Sequence, residues 1–328
     1  MCESHTVFID LLILTLVPNF TMKYQNLRNA DALCVNLGIT AQFLDQFLKS
    51  PILQYNVVTI PKRGGRGRRD LYLANDVLKG AQKLIRDDLS ARVSLPEYVQ
   101  GFVKGRSILT NAKFHLAKRR VLNLDIKSYF ESIDSQAVKD VFTSLGANDE
   151  ISSMLSMICT CHDYLIPGTV CSPIISNLVF SDCDDALHKL AVSFNCSYSR
   201  YVDDITFSGD TVPNLSKIDK ILNSYRFERN AAKTHYQIRG KRQYVTGLTV
   251  FDHTSPRIPR WRKKQLRCEI HYMRLYGLEN HLKHSGIEMP PYYYIERMDG
   301  IMSFYRSIEP WFVSKYEYEW EIIKQENK

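Results

Sequence analysis

Residues 197–208 read as two strands joined by a tight turn, and two adjacent acids occupy that turn. The segment SYSRYVDDITFS places Asp203 and Asp204 between two runs rich in β-branched and aromatic residues. A second apolar run, 120–126, brings a further acid, Asp125, to the end of a buried strand. This pattern predicts a sheet that carries three carboxylates at one edge.

The three acids pose an electrostatic problem that bound cations would solve, because neighbouring carboxylates repel one another. Magnesium prefers carboxylate oxygens as ligands. Two such ions about 3.5–4 Å apart activate an attacking hydroxyl and stabilise a leaving pyrophosphate in nucleotide transfer. The alternative is that Asp203 and Asp204 are ordinary turn residues, since Asp is common in hairpins. The local pattern leaves both interpretations open.

The rest of the chain predicts helices around strand-rich regions, with no internal repeat. The amino-acid composition changes most sharply at two places, a glycine- and arginine-rich stretch at 63–69 and a Pro-Arg stretch at 256–260. Thr40 is a favourable N-cap for the second of two N-terminal helices. The periodicities predict helices within 27–50, over 74–91 and near 215–226, strands over 54–60, 70–73, 235–239 and 243–250, and a mostly helical region over 260–328.

Positive charge is concentrated at the start of the C-terminal region. The 328-residue chain has 43 Lys+Arg against 35 Asp+Glu, a net charge of +8 that favours a polyanionic partner. Between 257 and 274 the only acid is Glu269, which favours phosphate contacts over the alternative of a solvated helix face. The candidate RNA-binding residues there are Arg260, Arg262, Lys263, Lys264 and Arg267. The aromatic residues near the end are expected in the core: Tyr292, Tyr293, Tyr294, Trp311, Phe312, Tyr316 and Trp320.

The eight cysteines form no regular disulfide framework, which favours a reduced, cytoplasmic setting. A zinc site at Cys159, Cys161, His162 and Cys171 is the alternative, but the Cys-x-Cys-His spacing is too tight for a usual finger. The apolar run at 7–17 is too short to span a bilayer and lacks a preceding basic region. No membrane partner is therefore expected.

From residue 54 to 250 the chain resembles the collinear motif series of reverse transcriptases. LDIKSYF, ending at Phe130, looks like motif A. The resemblance makes Asp125 and the Ile126 backbone metal ligands and makes Phe130 the ring that excludes a ribose 2′-hydroxyl. PGTVCSPIISNL looks like motif B, with Gly168 beside the nucleotide. It departs from the family, since Ile-Pro-Gly replaces the usual Pro-Gln-Gly, so the pocket glutamine is missing.

The remaining motifs follow in the expected order. YVDD, with metal ligands Asp203 and Asp204, is similar to motif C, and the region around Lys233 resembles motif D, in which a lysine donates a proton to pyrophosphate. Upstream, Lys62 and Arg69 resemble the pair that grips the incoming dNTP. The alternatives are an exposed lysine at 233 and a generic RNA-binding turn in the basic loop.

Two short signatures resemble those of retron reverse transcriptases. Asn111 and His115 match Asn-Ala-x-x-His, and Val245, Thr246 and Gly247 match Val-Thr-Gly. GFVKGRSIL, starting at Gly101, and DGIMSFY, starting at Asp299, are also similar to retron enzymes. The resemblance implies that both signatures bind RNA. The alternative is a satisfied polar pair on a helix and an ordinary strand with a bend.

The resemblance implies an α+β fold with right-hand polymerase architecture, a mixed or antiparallel palm sheet and a helical thumb. It implies an N-terminal extension with helices over 1–50, fingers over 51–120, a palm with a fingers-like insertion near 140–165 over 121–250, and a basic helical thumb over 251–328.

Such an enzyme uses two Mg²⁺ ions, with Mn²⁺ a possible substitute, and copies a structured non-coding RNA into branched multicopy single-stranded DNA (msDNA) from a 2′-hydroxyl. The expected partners are that RNA, the msDNA product, dNTPs and a separate anti-phage effector. Rival interpretations are a group II intron-like or diversity-generating reverse transcriptase, and a scaffold that restrains an effector.

Overall fold

The computed structural model describes residues 22–61 and 67–327. The apolar run at 7–17 and Lys62 lie outside the described residues. The chain divides into two compact units: one contains the chain up to Pro96, Lys127–Asp185 and Ser224–Phe227, and the other contains Glu97–Ile126, Ala186–Asn223 and Glu228–Lys328. No helix within the described ranges is both long enough and apolar enough to cross a membrane.

The described chain alternates helices with short antiparallel strands. In chain order the elements are α1 (Ala30–Leu37), α2 (Ala41–Lys49), β1 (Tyr55–Pro61), β2 (Arg68–Ala74), α3 (Asp76–Arg92), α4 (Ile108–Lys113), β3 (Arg120–Asp125), α5 (Ser135–Ser144), α6 (Asp149–Cys159), α7 (Ser172–Val179), α8 (Ser181–Ser193), β4 (Ser197–Tyr201), β5 (Asp204–Gly209), α9 (Leu215–Ser224), β6 (His235–Ile238), β7 (Tyr244–Val245), β8 (Leu248–Thr249), α10 (Arg260–Tyr276), α11 (Leu278–His284), α12 (Pro291–Ile308), α13 (Pro310–Val313) and α14 (Glu317–Glu326).

The first unit combines the β1–β2 hairpin with a helical core. The two strands pair antiparallel, and α3 follows directly with Asn75 as its N-cap, whose side chain accepts from the Leu78 amide. Helix α3 buries Leu78 and Ile85 completely, which follows from their helical spacing. Its buried Gln82 donates to the carbonyl of Ile158 at 2.9 Å and so links α3 to α6.

The second unit contains the sheet predicted from the acidic hairpin. Its strand order is β4-β5-β3-β6, and each neighbouring pair is antiparallel. The central strand β3 buries Val121, Leu122 and Leu124, which explains its nearly continuous apolar sequence. The buried strand therefore ends with Asp125 at the sheet edge, as the sequence predicted.

The C-terminal helices of the same unit pack around a continuous apolar core with the β7–β8 hairpin. Its most buried members include Val245, Leu248, Val250, Ile270, Tyr294, Met298 and Val313. The mostly helical character predicted for 260–328 is confirmed. Thr40 is also confirmed as the N-cap of α2, since its hydroxyl accepts from the Phe43 amide at 3.1 Å.

One predicted strand is wrong. Residues 243–250 form two short strands, β7 and β8, because Thr246 and Gly247 adopt φ values of 45° and 81° and turn the chain back on itself. A glycine tolerates this left-handed conformation easily, whereas a threonine rarely adopts it. The β-branched residues on either side concealed this turn in the sequence.

Candidate active site

The turn between β4 and β5 carries Asp203, and Asp204 begins β5. Asp204 pairs in register with Asp125, the last residue of β3. The Ile126 amide donates to the Asp203 carbonyl with an N···O distance of 2.9 Å, which ties the end of β3 to the turn. The structure therefore brings the three predicted acids together at one sheet edge.

The acids perturb one another electrostatically. Although Asp204 is accessible to solvent, its pKa is raised to about 7: desolvation by the surrounding protein contributes most, the Asp203 and Asp125 carboxylates add to it, and Lys233 opposes it. Desolvation and like charges both disfavour the ionised carboxylate. A cation bound among these oxygens would reverse that effect.

Asp125 is held by two residues that follow α9. The Lys233 ammonium lies 2.7 Å from Asp125 Oδ1, and Asn230 Nδ2 donates to Oδ2 at 3.2 Å. The backbone amide of Asn230 also donates to the backbone carbonyl of Asp125 at 2.7 Å. Lys233 is thus in the site as predicted, as the direct counter-ion of an acid. Asn230 belongs to the segment that resembles motif D, but no role in the site was predicted for it.

Gly101 and Arg200, for which no role was predicted from the sequence, stabilise the acidic turn through contacts with Val202. Val202 has a φ of 63°, a conformation that a β-branched residue rarely adopts. A Cβ added to Gly101 would lie 2.3 Å from the Val202 nitrogen, so only glycine allows the two backbones to touch. The fully buried Arg200 donates from Nη1 to the Val202 carbonyl at 3.0 Å. The only signal for Gly101 in the sequence was its place in GFVKGRSIL.

The donor set at this edge suits magnesium. It offers the carboxylates of Asp125, Asp203 and Asp204, all hard oxygen ligands, and their mutual repulsion is the kind that a divalent ion relieves. As placed, no group of three His, Cys, Asp or Glu side chains in the described residues is arranged to hold an ion. One Asp125 oxygen instead contacts Lys233. The residues present nevertheless fit the predicted metal.

The other predicted nucleotide-binding residues belong to the first unit. Phe130 is half-buried, and its ring packs edge-on against Tyr129 with centroids 5.4 Å apart. Gly168 has a φ of 106°, and a Cβ there would lie 3.0 Å from the Tyr72 carbonyl. Gly168 therefore permits close contact with β2. Arg69 lies in β2 opposite Ile60.

The cysteines considered for zinc lie in the first unit's interior. Cys159 and Cys171 are buried and hydrogen-bonded to each other, and burial raises the pKa of the Cys159 thiol well above its usual range. A high thiol pKa disfavours the thiolate that zinc requires. His162, in contrast, is exposed.

Comparisons with known proteins agree with this geometry. Residues 60–266 match the family model described as reverse transcriptase (RNA-dependent DNA polymerase). The retron Ec86 reverse transcriptase of Escherichia coli is 32% identical over 241 residues, covering 72% of this chain and 75% of the relative. The retron Se72 reverse transcriptase of Salmonella heidelberg (strain 579083-10) is 30% identical over 265 residues, covering 77% and 70%. The retron Mx65 reverse transcriptase of Myxococcus xanthus is 29% identical over 304 residues, covering 86% and 67%.

The chain belongs to the retron reverse transcriptases. It is therefore an RNA-directed DNA polymerase, and the family match over 60–266, a range that includes the sheet with the acidic edge, implies a polymerase palm-type domain.

The first retron signature is internal to the protein. His115 is fully buried, and its ring nitrogens lie 2.6 Å from Ser208 Oγ and 2.7 Å from Ser199 Oγ. Asn111 is 1% exposed, accepts from Ser199 Oγ at 2.7 Å and donates to Thr246 Oγ1 at 3.4 Å. Both side chains use their hydrogen-bonding groups inside the second unit. This corrects the predicted direct RNA contact and favours the satisfied polar pair.

The second retron signature is only partly accessible. Val245 is fully buried in the core, so the prediction of an RNA contact by its side chain is wrong. Thr246 is half-buried and donates to the Ile108 carbonyl at 3.1 Å. Gly247 is exposed at the turn, close to the guanidinium of Arg262. RNA contact by Thr246 and Gly247 stays a prediction.

The basic residues of α10 do not all face solvent. Arg260, Lys264 and Arg267 are exposed and available to a polyanion, whereas Arg262 is half-buried. Lys263 Nζ lies 2.7 Å from Oε1 of Glu309, whose side chain is buried. This lysine therefore has a structural partner inside the retron enzyme.

The seven aromatic residues near the C-terminus differ in burial, and Tyr316 is half-buried against the core. Tyr294, Phe312 and Trp320 are buried, as the sequence predicted. The same prediction is wrong for three others, which are at least half exposed. These are Tyr292, Tyr293 and Trp311.

Proposed function

We propose that this retron reverse transcriptase copies part of a structured non-coding RNA into branched msDNA, primed from an RNA 2′-hydroxyl, within a cytoplasmic anti-phage system. The observation that carries the proposal is the register of Asp125 opposite Asp204, with Asp203 in the adjoining turn. The retron names of the relatives support the kind of product and template. The effector would be a separate protein.

The right-hand architecture belongs to the same proposal. We assign 1–50 to an N-terminal region of extension and helices, 51–120 to the fingers, 121–250 to the palm with a fingers-like insertion near 140–165, and 251–328 to the thumb. The family match supports the palm, and the basic helix α10 supports a thumb that holds nucleic acid.

Asp125, Asp203 and Asp204, with the Ile126 backbone carbonyl, would hold two Mg²⁺ ions, for which Mn²⁺ would substitute. Bound there, they would supply the Lewis-acid chemistry that activates an attacking hydroxyl and neutralises charge on a leaving pyrophosphate. Asn230 and Lys233 orient the Asp125 carboxylate, and the Lys233 ammonium carries the proton that it would donate to pyrophosphate.

The dNTP would be held by Lys62, Arg69 and Gly168, and Phe130 would exclude ribonucleotides because its ring collides with a 2′-hydroxyl. The candidates for RNA contact are Thr246, Gly247, Arg260, Lys264 and Arg267. Asn111, His115, Val245 and Lys263 support that surface from within.

The test is Asp203→Asn in the purified full chain with Mg²⁺, dNTPs and the RNA encoded beside its gene. DNA synthesis should be abolished, because one lost ligand charge disables the metal pair. RNA affinity should stay within about twofold, since phosphate contacts on basic residues dominate binding.

Asp210→Asn is the matched control, because Asp210 is an exposed acid that follows the opposite end of β5. It should polymerise like the wild type. DNA synthesis that survives in Asp203→Asn, or that is lost equally in both variants, would contradict the proposed metal site.

A further inference from the structure

A groove in the second unit combines exposed aromatic rings with cationic side chains. It encloses about 890 Å³ and is lined by residues 239–244, 249, 251–253, 257–258, 260–261, 263, 309 and 311. Its walls are the loop between β6 and β7, the segment that leads from β8 into α10, and the start of α13. We call it the tryptophan groove, after Trp261 and Trp311 in its lining.

The tryptophan groove carries an excess of positive charge. Its two acids are already paired: Asp252 with Arg257 at 3.1 Å and Glu309 with Lys263 at 2.7 Å. The remaining cations in its lining are Arg239, Lys241, Arg242 and Arg260. A groove of this charge attracts a polyanion rather than a basic or neutral peptide.

Three aromatic rings in the groove are available for stacking. Phe251, Trp261 and Trp311 are 52%, 54% and 51% exposed. A cation lies over each ring: Arg239 is 5.1 Å from the Phe251 centroid, Arg262 is 5.2 Å from Trp261, and Lys263 is 5.2 Å from Trp311. Rings alternating with cations suit unpaired bases and their phosphates.

Buried contacts hold the groove in shape. Glu309 is 1% exposed, and its carboxylate accepts from the Ile258 amide at 2.8 Å and from Lys263 Nζ at 2.7 Å. Glu309, which directly precedes α13, is thereby bonded to the residues at the start of α10. Trp311, two residues after Glu309, is positioned by a buried ion pair, so little conformational entropy is lost when a ligand binds.

We propose that the tryptophan groove binds an unpaired nucleotide strand, with Trp311 and Trp261 stacking on its bases and Arg239, Arg242 and Arg260 contacting its phosphates. The proposal rests on the proposed function in so far as a structured RNA and its single-stranded DNA product are the strands that this enzyme meets. Bases within a duplex cannot reach the rings, so the groove discriminates against paired nucleic acid.

The chain supplies its own reporter for the test. It contains three tryptophans, and the third, Trp320, is 2% exposed and donates to Asp299 at 2.7 Å. Titrating the full chain, without dNTPs or metal, with a short unstructured RNA should quench tryptophan emission as bases stack on the two groove residues. A DNA strand of the same sequence and a blunt-ended RNA duplex are titrated in parallel.

Trp311→Ala should weaken binding of the unpaired RNA by between about fivefold and about 100-fold, the range expected for loss of one stacked base. Trp311→Phe should restore most of the affinity, because it keeps a stacking ring. Trp261→Ala provides a second variant that leaves the Lys263 contact with Trp311 intact. Tyr318→Ala, which removes a 79% exposed ring outside the groove, should bind like the wild type.

Comparison of the strands identifies the ligand. Quenching by unpaired RNA alone, or by unpaired RNA and DNA alike, supports the proposal and shows which sugar the groove accepts. Equal quenching by the blunt-ended duplex would overturn it, as would unchanged affinity in folded Trp311→Ala and Trp261→Ala. The readout needs no catalysis, so loss of DNA synthesis by the wild type would contradict the proposed function without affecting this result.

Discussion

At the scale of single residues, Lys233 is the side chain whose position most affects the chemistry. Its ammonium lies 2.7 Å from Asp125, although the lysine side chain itself is 47% exposed. That contact is compatible with two roles, as counter-ion of a metal ligand and as proton donor to pyrophosphate. Replacing Lys233 with a neutral residue distinguishes the two roles, because they predict different rates of nucleotide addition at high Mg²⁺ concentration.

Lys233→Gln should lower the rate of nucleotide addition at saturating Mg²⁺ by about 100-fold, within the range for loss of a general acid. The measurement is single-turnover extension of a primed RNA template over a series of Mg²⁺ concentrations. Lys220→Gln, which alters an exposed lysine of α9, is the control and should extend the primer normally. A Lys233→Gln variant that recovers the full rate at high Mg²⁺ would show that the lysine is only a counter-ion.

At the scale of elements, the β4–β5 turn depends on a neighbour from another part of the chain. The segment before α4 lies alongside β4, and the Gln100 amide donates to the Arg200 carbonyl at 2.7 Å. Gly101 then contacts the Val202 backbone, where a side chain has no room. The acidic turn is therefore stabilised by the close backbone contact with Gly101 and by the hydrogen bond from the Arg200 guanidinium.

Gly101→Ala should reduce DNA synthesis by about 100-fold, because displacement of the turn by a fraction of an ångström moves Asp203 and Asp204 out of alignment. Gly105→Ala is the matched control within the same segment, as a Cβ there meets no atom within 4 Å. Its positive φ of 78° adds strain, so it also shows how much of any effect is general destabilisation. Primer extension and thermal unfolding would be measured for both variants. Equal activity in the two would contradict the role of Gly101.

At the scale of the whole molecule, the buried polar network around His115 couples folding to pH. Desolvation lowers the pKa of His115 to about 3, with a smaller contribution from Lys118. The unfolded chain binds a proton on this residue near pH 6.5, whereas the folded chain does not. Stability from this group is therefore complete above about pH 6.5 and is lost as the pH falls towards 3.

The wild type should accordingly lose about 1 kcal/mol of unfolding free energy per pH unit from His115 between pH 6 and pH 4. His115→Gln should be less stable at pH 7 but should show a shallower decline. Urea unfolding at several pH values measures both effects. His235→Gln changes an exposed histidine at the start of β6 and should keep the wild-type slope. An unchanged slope in His115→Gln would mean that other groups cause the acid sensitivity.

The sequence by itself determined the placement of the acidic hairpin, the strand that ends at Asp125, the N-cap at Thr40 and the membership of the reverse transcriptases. These features depend on local patterns, because strand alternation, helix capping and each short motif involve residues that are close together in the chain. The strands up to residue 238 and the helices predicted over 74–91 and near 215–226 followed for the same reason. The hidden turn at Thr246 did not, since β-branched neighbours predict a continuous strand.

The tertiary structure alone decided which polar and aromatic side chains are buried. His115 meets Ser199 and Ser208 across more than 80 positions of sequence, and these contacts turn a predicted RNA ligand into an internal support. Trp311 was predicted in the core and lies in an open groove instead. Burial depends on contacts between distant segments, so composition and periodicity cannot assign it. The same holds for Gly101, which is required by a turn about a hundred residues away.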